Sequence, residues 1–306
     1  MSTNETQKIQ IKGRLTKMTV PIDKLSSLIF GYTEDEYKDI VLNHADCSCI
    51  EGEDRNGNRV ETPYWLEVAE EYANTKPLTP FHREVLFAAI SAYEEGYRVL
   101  TFRTTLNTLT GGTVKDHISK DQYDAISEAF RKLSFTRIVV DLEPLLNAYP
   151  KYKKRYKGKW KIDGMLLPCR FLESEINGQQ ALAVELLAEC PLTIVAKLKR
   201  QMMTYDLSPL AIIEQHNTEN VIVIKNYLLR RIKLMKSAER KKGLNSSILF
   251  ETIYKECGFA KATSGEKRDI REVIIDTLNH FKNSKVIKSF EIERQGRIYR
   301  SIIISL

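Results

Sequence analysis

From Leu78 onward the apolar positions fall twice into one succession: helical spacing, a short helix, helical spacing again, then strand-like alternation. In the first copy Phe81, Val85, Ala89 and Tyr93 recur at the helical interval and mark one stripe. Thr79 stands where a helix N-cap is needed, and Pro80 follows at the first helical position, where a missing N–H breaks no hydrogen bond. Gly96 predicts the stop. Arg98 to Phe102 alternates as a short strand, Thr104 to Leu109 predicts a short helix, and Gly111-Gly112 breaks it. Ser119 then caps a third helix with Tyr123, Ile126, Phe130 and Leu133 on one face. Ile138, Val140 and Leu142 begin a strand, and Met165–Ile176 and Ala181–Leu187 form a hairpin through Asn177-Gly178, two residues that tolerate positive φ.

The second copy opens on a long helix marked by Val221, Ile224, Leu228, Ile232 and Met235, which ends at the charged run Glu239–Lys242 and Gly243. Ser247 is expected to cap a helix running to Cys257, with Ile248, Phe250, Ile253 and Tyr254 as its apolar surface and Gly258 as its stop. After a turn containing Ser264-Gly265, the residues Ile270, Val273, Ile274, Leu278 and Phe281 share one face of another helix. Val286–Ile292 and Arg297–Ile304 alternate as a closing hairpin. This order is that of a winged helix-turn-helix domain. The expected fold is α+β: two tandem winged helix-turn-helix domains with an N-terminal extension. Residues 1–77 form the extension packed on the first domain, residues 78–200 the first winged-helix domain, and residues 201–306 the second. The extension carries a polar leader, a strand around Met18 to Ile22, and a loop-like stretch from Glu51 to Glu61.

Charge sharpens the picture only when divided along the chain. Val221 to Leu306 holds 19 Lys and Arg against 9 Asp and Glu, whereas the remaining residues hold 28 against 31, within a total of +7. A domain that tracks phosphates has this asymmetry, and so does a soluble domain with solvated helix faces. The predicted helix beginning near Lys267 decides between them. Lys267, Arg268 and Arg271 occupy its first turns, with Asn279 and Lys282 further along, and Arg and Lys reach guanine edges while Asn pairs with adenine. The hairpin tip holds Arg294, Gln295 and Arg297, better placed for backbone positioning than for specificity. The corresponding helix of the first copy mixes Asp121, Asp124 and Glu128 with Lys120 and Arg131, a surface poorly suited to phosphates. Its basic loop Lys151, Lys153, Lys154, Arg155, Lys157 reads equally as a phosphate-contacting wing or a solvated tip.

Other chemistries find little support. Five cysteines, Cys47, Cys49, Cys169, Cys190 and Cys257, are scattered and odd in number, which fits a reducing cytoplasm rather than a disulfide framework. No run approaches the roughly 18 apolar residues of a membrane span, and the start MSTNETQKIQ has no signal-peptide core, so no membrane partner is expected. His44, Cys47 and Cys49 are of zinc-ligating type but lack finger or ribbon spacing, and ordinary packing is the preferred reading. His44, His82, His117, His216 and His280 are isolated from one another, whereas a metal-assisted nicking enzyme needs adjacent histidines. There is no G-x-x-x-x-G-K-[ST] phosphate cradle. The chain is therefore expected to have no enzymatic activity, catalytic residues, metal or cofactor.

Three stretches carry a resemblance to a known family: PLTIVAKLKRQMMTYDLSPL from Pro191 to Leu210, NVIVIKNYLLRRIKLMK, and KRDIREVIIDTLNHFKNSKVIKSFEI. With Thr204, Tyr205, Leu207 and Tyr227 at matching places, the chain from about Leu78 resembles the iteron-binding plasmid replication initiators, the Rep proteins with two winged-helix domains. The resemblance implies a cytoplasmic initiator that binds double-stranded origin DNA at direct repeats, helps open the origin, and recruits the host replicative helicase and host initiator. It also implies homodimer formation and accessory DNA contacts through the first domain. Base reading would fall on the helix from Lys267, and phosphate contacts on Lys261, Lys282, Arg294 and Arg297. A tandem winged-helix transcriptional repressor binding an operator is the alternative, and an assembly protein whose first domain binds a partner is a third reading.

Overall fold

A computed structural model describes residues 14–37, 48–53, 59–68, 76–112, 118–148, 161–176, 179–212, 215–239 and 246–306. The chain is mixed α and β, with four small sheets among the described residues. The first half contains helix α2 (Pro80–Glu94), strand β4 (Val99–Thr101), helix α3 (Phe102–Leu109), helix α4 (Lys120–Phe135) and the hairpin β7 (Cys169–Ile176) and β8 (Gln179–Leu186). The second contains α7 (Glu219–Glu239), β10 (Ser247–Leu249), α8 (Phe250–Glu256), α9 (Ser264–Asn283) and the hairpin β11 (Ser289–Gln295) and β12 (Ile298–Ser305). In both, the strand before the short helix pairs with the last strand of the hairpin, giving sheet orders β4-β8-β7 and β10-β12-β11.

Local chemistry explains most boundaries. Thr79 caps α2 with His82 returning the bond, Ser119 caps α4 with Gln122, and Thr263 caps α9 with Glu266. Gly111, at φ +69°, ends the turn after α3; a Cβ there would lie 2.6 Å from the Ala211 backbone nitrogen, so glycine is required for close approach as well as for conformation.

Three expectations need correction. Ser247 does not cap a helix: it opens β10, which pairs Ile248 against Ile302 inside the core, and α8 starts at Phe250 without a side-chain cap. A serine favoured at N-caps was outweighed by a buried cross-strand isoleucine pair. Ser264 and Gly265 belong to the first turn of α9 rather than to the preceding turn, because Thr263 takes the cap. The stretch Met165–Ile176 is two strands in two sheets: β6 (Lys161–Met165) joins β5 (Thr136–Asp141), whereas β7 joins β8. Buried Leu166 and Leu167 and the donor-less Pro168 make the break. Ile176 faces Gln179 across the β7–β8 ladder; Asn177 and Gly178 lie outside the described residues.

The N-terminal extension is woven into the body. Its β1 (Lys17–Pro21) pairs antiparallel with β9 (Met202–Asp206), in the connector between the halves. Two further strands, β2 (Ser48–Glu53) and β3 (Arg59–Val68), extend β5 and β6 into a sheet of order β2-β3-β5-β6, so both ends of the stretch Glu51–Glu61, expected to be loop-like, are strand, and residues 54–58 lie outside the described residues. Short helices α1 (Lys24–Leu28), α5 (Glu143–Ala148) and α6 (Pro191–Lys199) fill the connections.

At the centre lies α2, buried from Phe81 through Ala92 on every face, although its sequence pattern predicted a single apolar stripe. Strand β1 covers one side, where the Thr19 amide donates to Ser91 Oγ at 2.8 Å and that hydroxyl returns a bond to the Thr19 carbonyl. Helix α7 covers another, itself buried from Val221 through Arg230. Between the two helices, fully buried Glu84 accepts two parallel bonds from Arg230, at 2.9 and 3.0 Å. Arg83 adds a bond to Glu84 at 3.2 Å and donates to the Glu256 carbonyl at the end of α8. Asn226 donates to the Leu109 carbonyl at the end of α3. A single apolar cluster consequently runs through both halves, rather than one core in each.

Two stability predictions follow from this packing. Removing Arg230 leaves fully buried Glu84 with Arg83 alone beside it, so Arg230→Met is expected to cost about 3 kcal/mol, and pairing it with Glu84→Leu to recover part of that loss, with Arg83 then held by Glu256. Urea unfolding of the single and double variants checks this. His82 is the second case: burial, then the Lys132 charge, lowers its pKa to about 3. A histidine with a depressed native pKa binds its proton in the unfolded chain first, so its contribution to stability is lost as pH falls below about 6.5. Between pH 7 and pH 5 the loss should be about 2 kcal/mol. His82→Gln keeps a capping-box residue without the titration and should flatten that slope in unfolding curves taken against pH.

Candidate nucleic-acid interface

The short helix α8, the first two turns of α9 and the β11–β12 hairpin enclose an open groove of about 610 Å³. Its charged lining is Lys267, Arg271, Arg297 and Arg300 against the single acid Glu251. Local rules put them there. Gly258, in the left-handed region, turns the chain after α8, and the Thr263–Glu266 capping box fixes where α9 begins. From that start Lys267 and Arg271, four residues apart, share the face turned to the hairpin. The hairpin turns through Gly296 at φ +61°, a conformation that favours glycine, and this sets Arg294 directly opposite Tyr299 in the ladder.

Two tyrosines organise the cations. Lys267 Nζ lies 5.2 Å from the centre of the Tyr254 ring. The Arg271 guanidinium lies 4.7 Å from the centre of the Tyr299 ring and is 3.4 Å from the Tyr254 hydroxyl. Arg294 lies 4.2 Å from the centre of the same Tyr299 ring. Tyr299 in turn meets the edge of Phe250, which is fully buried in α8.

Of the predicted site residues, the structure gathers Lys267, Arg271, Arg294 and Arg297 around this groove. Lys261 is exposed in the turn before α9. Arg268 is exposed on the next face of the helix beside Asp269, at 3.3 Å, an open ion pair of small energetic weight. Lys282 sits in the last turn of α9, about 22 Å along the helix from Lys267. Exposed Asp269, Glu272 and Asp276 intervene, so the positive surface of α9 divides into two ends. Sequence reasoning missed Tyr299 and Arg300 and counted Tyr254 only as core. The hairpin register held the signal, because a two-residue turn at Gly296-Arg297 makes Tyr299 the cross-strand partner of Arg294.

The equivalent surface of the first half differs. The N-terminus of α4 packs against the entry to α7, with Gln122 donating to the Asn217 carbonyl at 3.0 Å. Asp121, Asp124 and Glu128 are exposed, and Arg131 rests over Phe171. The basic loop from Lys151 to Lys157 lies outside the described residues, as do His44 and Cys47, and of Cys49 only the backbone in β2 is described. Among the described residues, no group of three or more His, Cys, Asp or Glu is placed to hold a metal ion, and no helix is long and apolar enough to cross a membrane.

No protein-family model matches this chain. No curated protein matches it either. Among solved structures, it is similar to two crystal structures of RctB domains 2 and 3. One, of selenomethionine derivatives, has 14% identity and a TM-score of 0.40; the other has 10% identity and a TM-score of 0.41. Both likenesses cover 84% of this chain and 90% of the other.

Proposed function

We propose that the chain is a sequence-specific, duplex-DNA-binding replication initiator of a plasmid or mobile element, and that each half is a winged helix-turn-helix domain. The observation that carries DNA binding is the convergence of Lys267, Arg271, Arg297 and Arg300, from a helix and a hairpin, on one groove, with Arg294 against the Tyr299 ring that lines it. The repeated order of helix, strand, helix, helix and hairpin, with the same sheet order in both halves, supports the winged-helix assignment. In this reading the first turns of α9 enter the major groove and the β11–β12 hairpin grips the adjacent backbone. The first half, with its acidic α4 surface, serves partner contact and dimer formation more than base reading. The initiator role, with direct repeats at the origin and recruitment of the host helicase and host initiator, rests on the sequence resemblance. The protein acts in the cytoplasm, by binding and without catalytic residues of its own.

Footprinting of the purified chain on DNA flanking its own gene, at several salt concentrations, tests this reading. Regularly spaced protection of direct repeats is the expected outcome. A single protected inverted repeat over a promoter would instead favour a repressor, and absence of sequence-specific protection would overturn DNA reading. On the protected site, Arg271→Ala should cost about 1–3 kcal/mol and relax preference at one base pair. Arg294→Ala should weaken binding evenly across sequences and lower the salt slope by about one. Titrations of both variants against matched and scrambled duplexes separate the two effects.

A further inference from the structure

Three cations at the groove, Lys267, Arg271 and Arg294, alternate with aromatic rings across four elements. Lys267 on α9, Tyr254 on α8, Arg271 on α9, Tyr299 on β12 and Arg294 on β11 form one ladder, each step within 5.2 Å. Its foot is in the core, through the contact of Tyr299 with the edge of buried Phe250 at 5.6 Å between ring centres.

A guanidinium held over a ring is attracted by the negative π face, while its N–H donors stay in its own plane. In Arg271 one terminal nitrogen makes a long bond to the Tyr254 hydroxyl, and the remaining in-plane donors are available for the two bonds a guanine edge accepts. An arginine without such support must surrender its rotamer freedom when it docks. Tyr299 does more than this for one side chain, because it also contacts Arg294 directly across the ladder, where the register shift between Glu293 and Arg294 re-aims the strand. Glu293, the nearest acid along that strand, is engaged by the Ser301 hydroxyl.

The geometry points to Tyr299 as a positioning residue that pre-sets Arg271 for base reading and ties it to the backbone-gripping Arg294, with Tyr254 steadying the same guanidinium from the other helix. This rests on the DNA-reading function proposed above. It makes the helix and the hairpin one reading device, so that losing the shared ring degrades specificity more than it degrades attraction to phosphates.

The test uses the full chain with two probes: a short duplex selected by wild-type protein from a randomised pool, and a scrambled duplex of the same composition. Tyr299→Leu should lower the ratio of the two affinities about fivefold, with a smaller change on the scrambled duplex. Tyr299→Phe keeps the π face and should restore the ratio. In an Arg271→Ala background, Tyr299→Leu should lower the ratio no further. Equal loss on both probes, full additivity in the double variant, or failure of the phenylalanine variant to rescue would each overturn the assignment. Because Tyr299 also packs on Phe250, a fold-independent observation is needed too: in DNA-free wild-type protein the Arg271 δ-protons should be shifted upfield by the ring current, and an unshifted signal overturns the ladder. Failure of wild-type protein to select any sequence would instead bring down DNA reading itself, an outcome distinguishable because the ring-current shift would persist.

Discussion

The carboxylate of Glu84 constrains everything around it. It is fully buried on a helix that is itself buried on all faces, so its charge must be matched from within the protein. Arg230 supplies that match from α7, in the second half of the chain, with both N–H groups in the fork arrangement that best suits a carboxylate. An ion pair of this kind adds little net stability compared with apolar packing, because both charges are taken out of water. What it imposes is specificity of docking: α2 and α7 have one relative position in which neither charge is stranded. Two other polar side chains on the buried stretch of α7 also find hydrogen-bond acceptors within the protein. Asn226 bonds the Leu109 carbonyl, and Lys225, its pKa lowered to about 8 by burial, donates to Asn217. The two halves are therefore not free modules on a linker.

That fixed docking gives the two topological copies different surfaces. In the second, the face formed by α9 and its hairpin is open and basic. In the first, the N-terminus of α4 meets the segment leading into α7, and its exposed residues are largely acidic. The first half also carries β5 and β6 between its third helix and its hairpin, and these strands are taken up by a separate sheet with β2 and β3. One architecture thus presents two different surfaces because the packing that joins the copies covers part of one of them.

Much of the arrangement was legible in the sequence, and what was not has physical reasons. The caps at Thr79 and Ser119, the stop at Gly96 and the helical stripes of α4 and α9 follow local rules, which act over a few residues. Strand β10 was illegible because three residues hold no period, and its identity depends on Ile302, more than fifty positions away. The all-round burial of α2 was illegible for a related reason: Arg83, Glu84 and Ser91 read as a polar face until partners distant in sequence, at Glu256, Arg230 and Thr19, bond them. In the candidate site, the charged residues were readable because charge is a property of single positions. The tyrosines that organise them were not, since a ring counts as core or as platform only according to what lies above it.

The interior and the groove are joined by a short structural path. Arg83, beside Glu84, donates to the carbonyl of Glu256, one of the end groups of α8 that the helix itself cannot satisfy. Helix α8 is only seven residues long, too short to hold its place by helical propensity. Its position comes instead from Phe250 and Ile253 in the core and from this bond at its C-terminus. The same helix carries Tyr254 and, through Phe250, backs Tyr299. The network that fixes how the two halves dock is therefore also the mount for the rings beneath Arg271, and how firmly that side chain is placed depends on how firmly the mount is held.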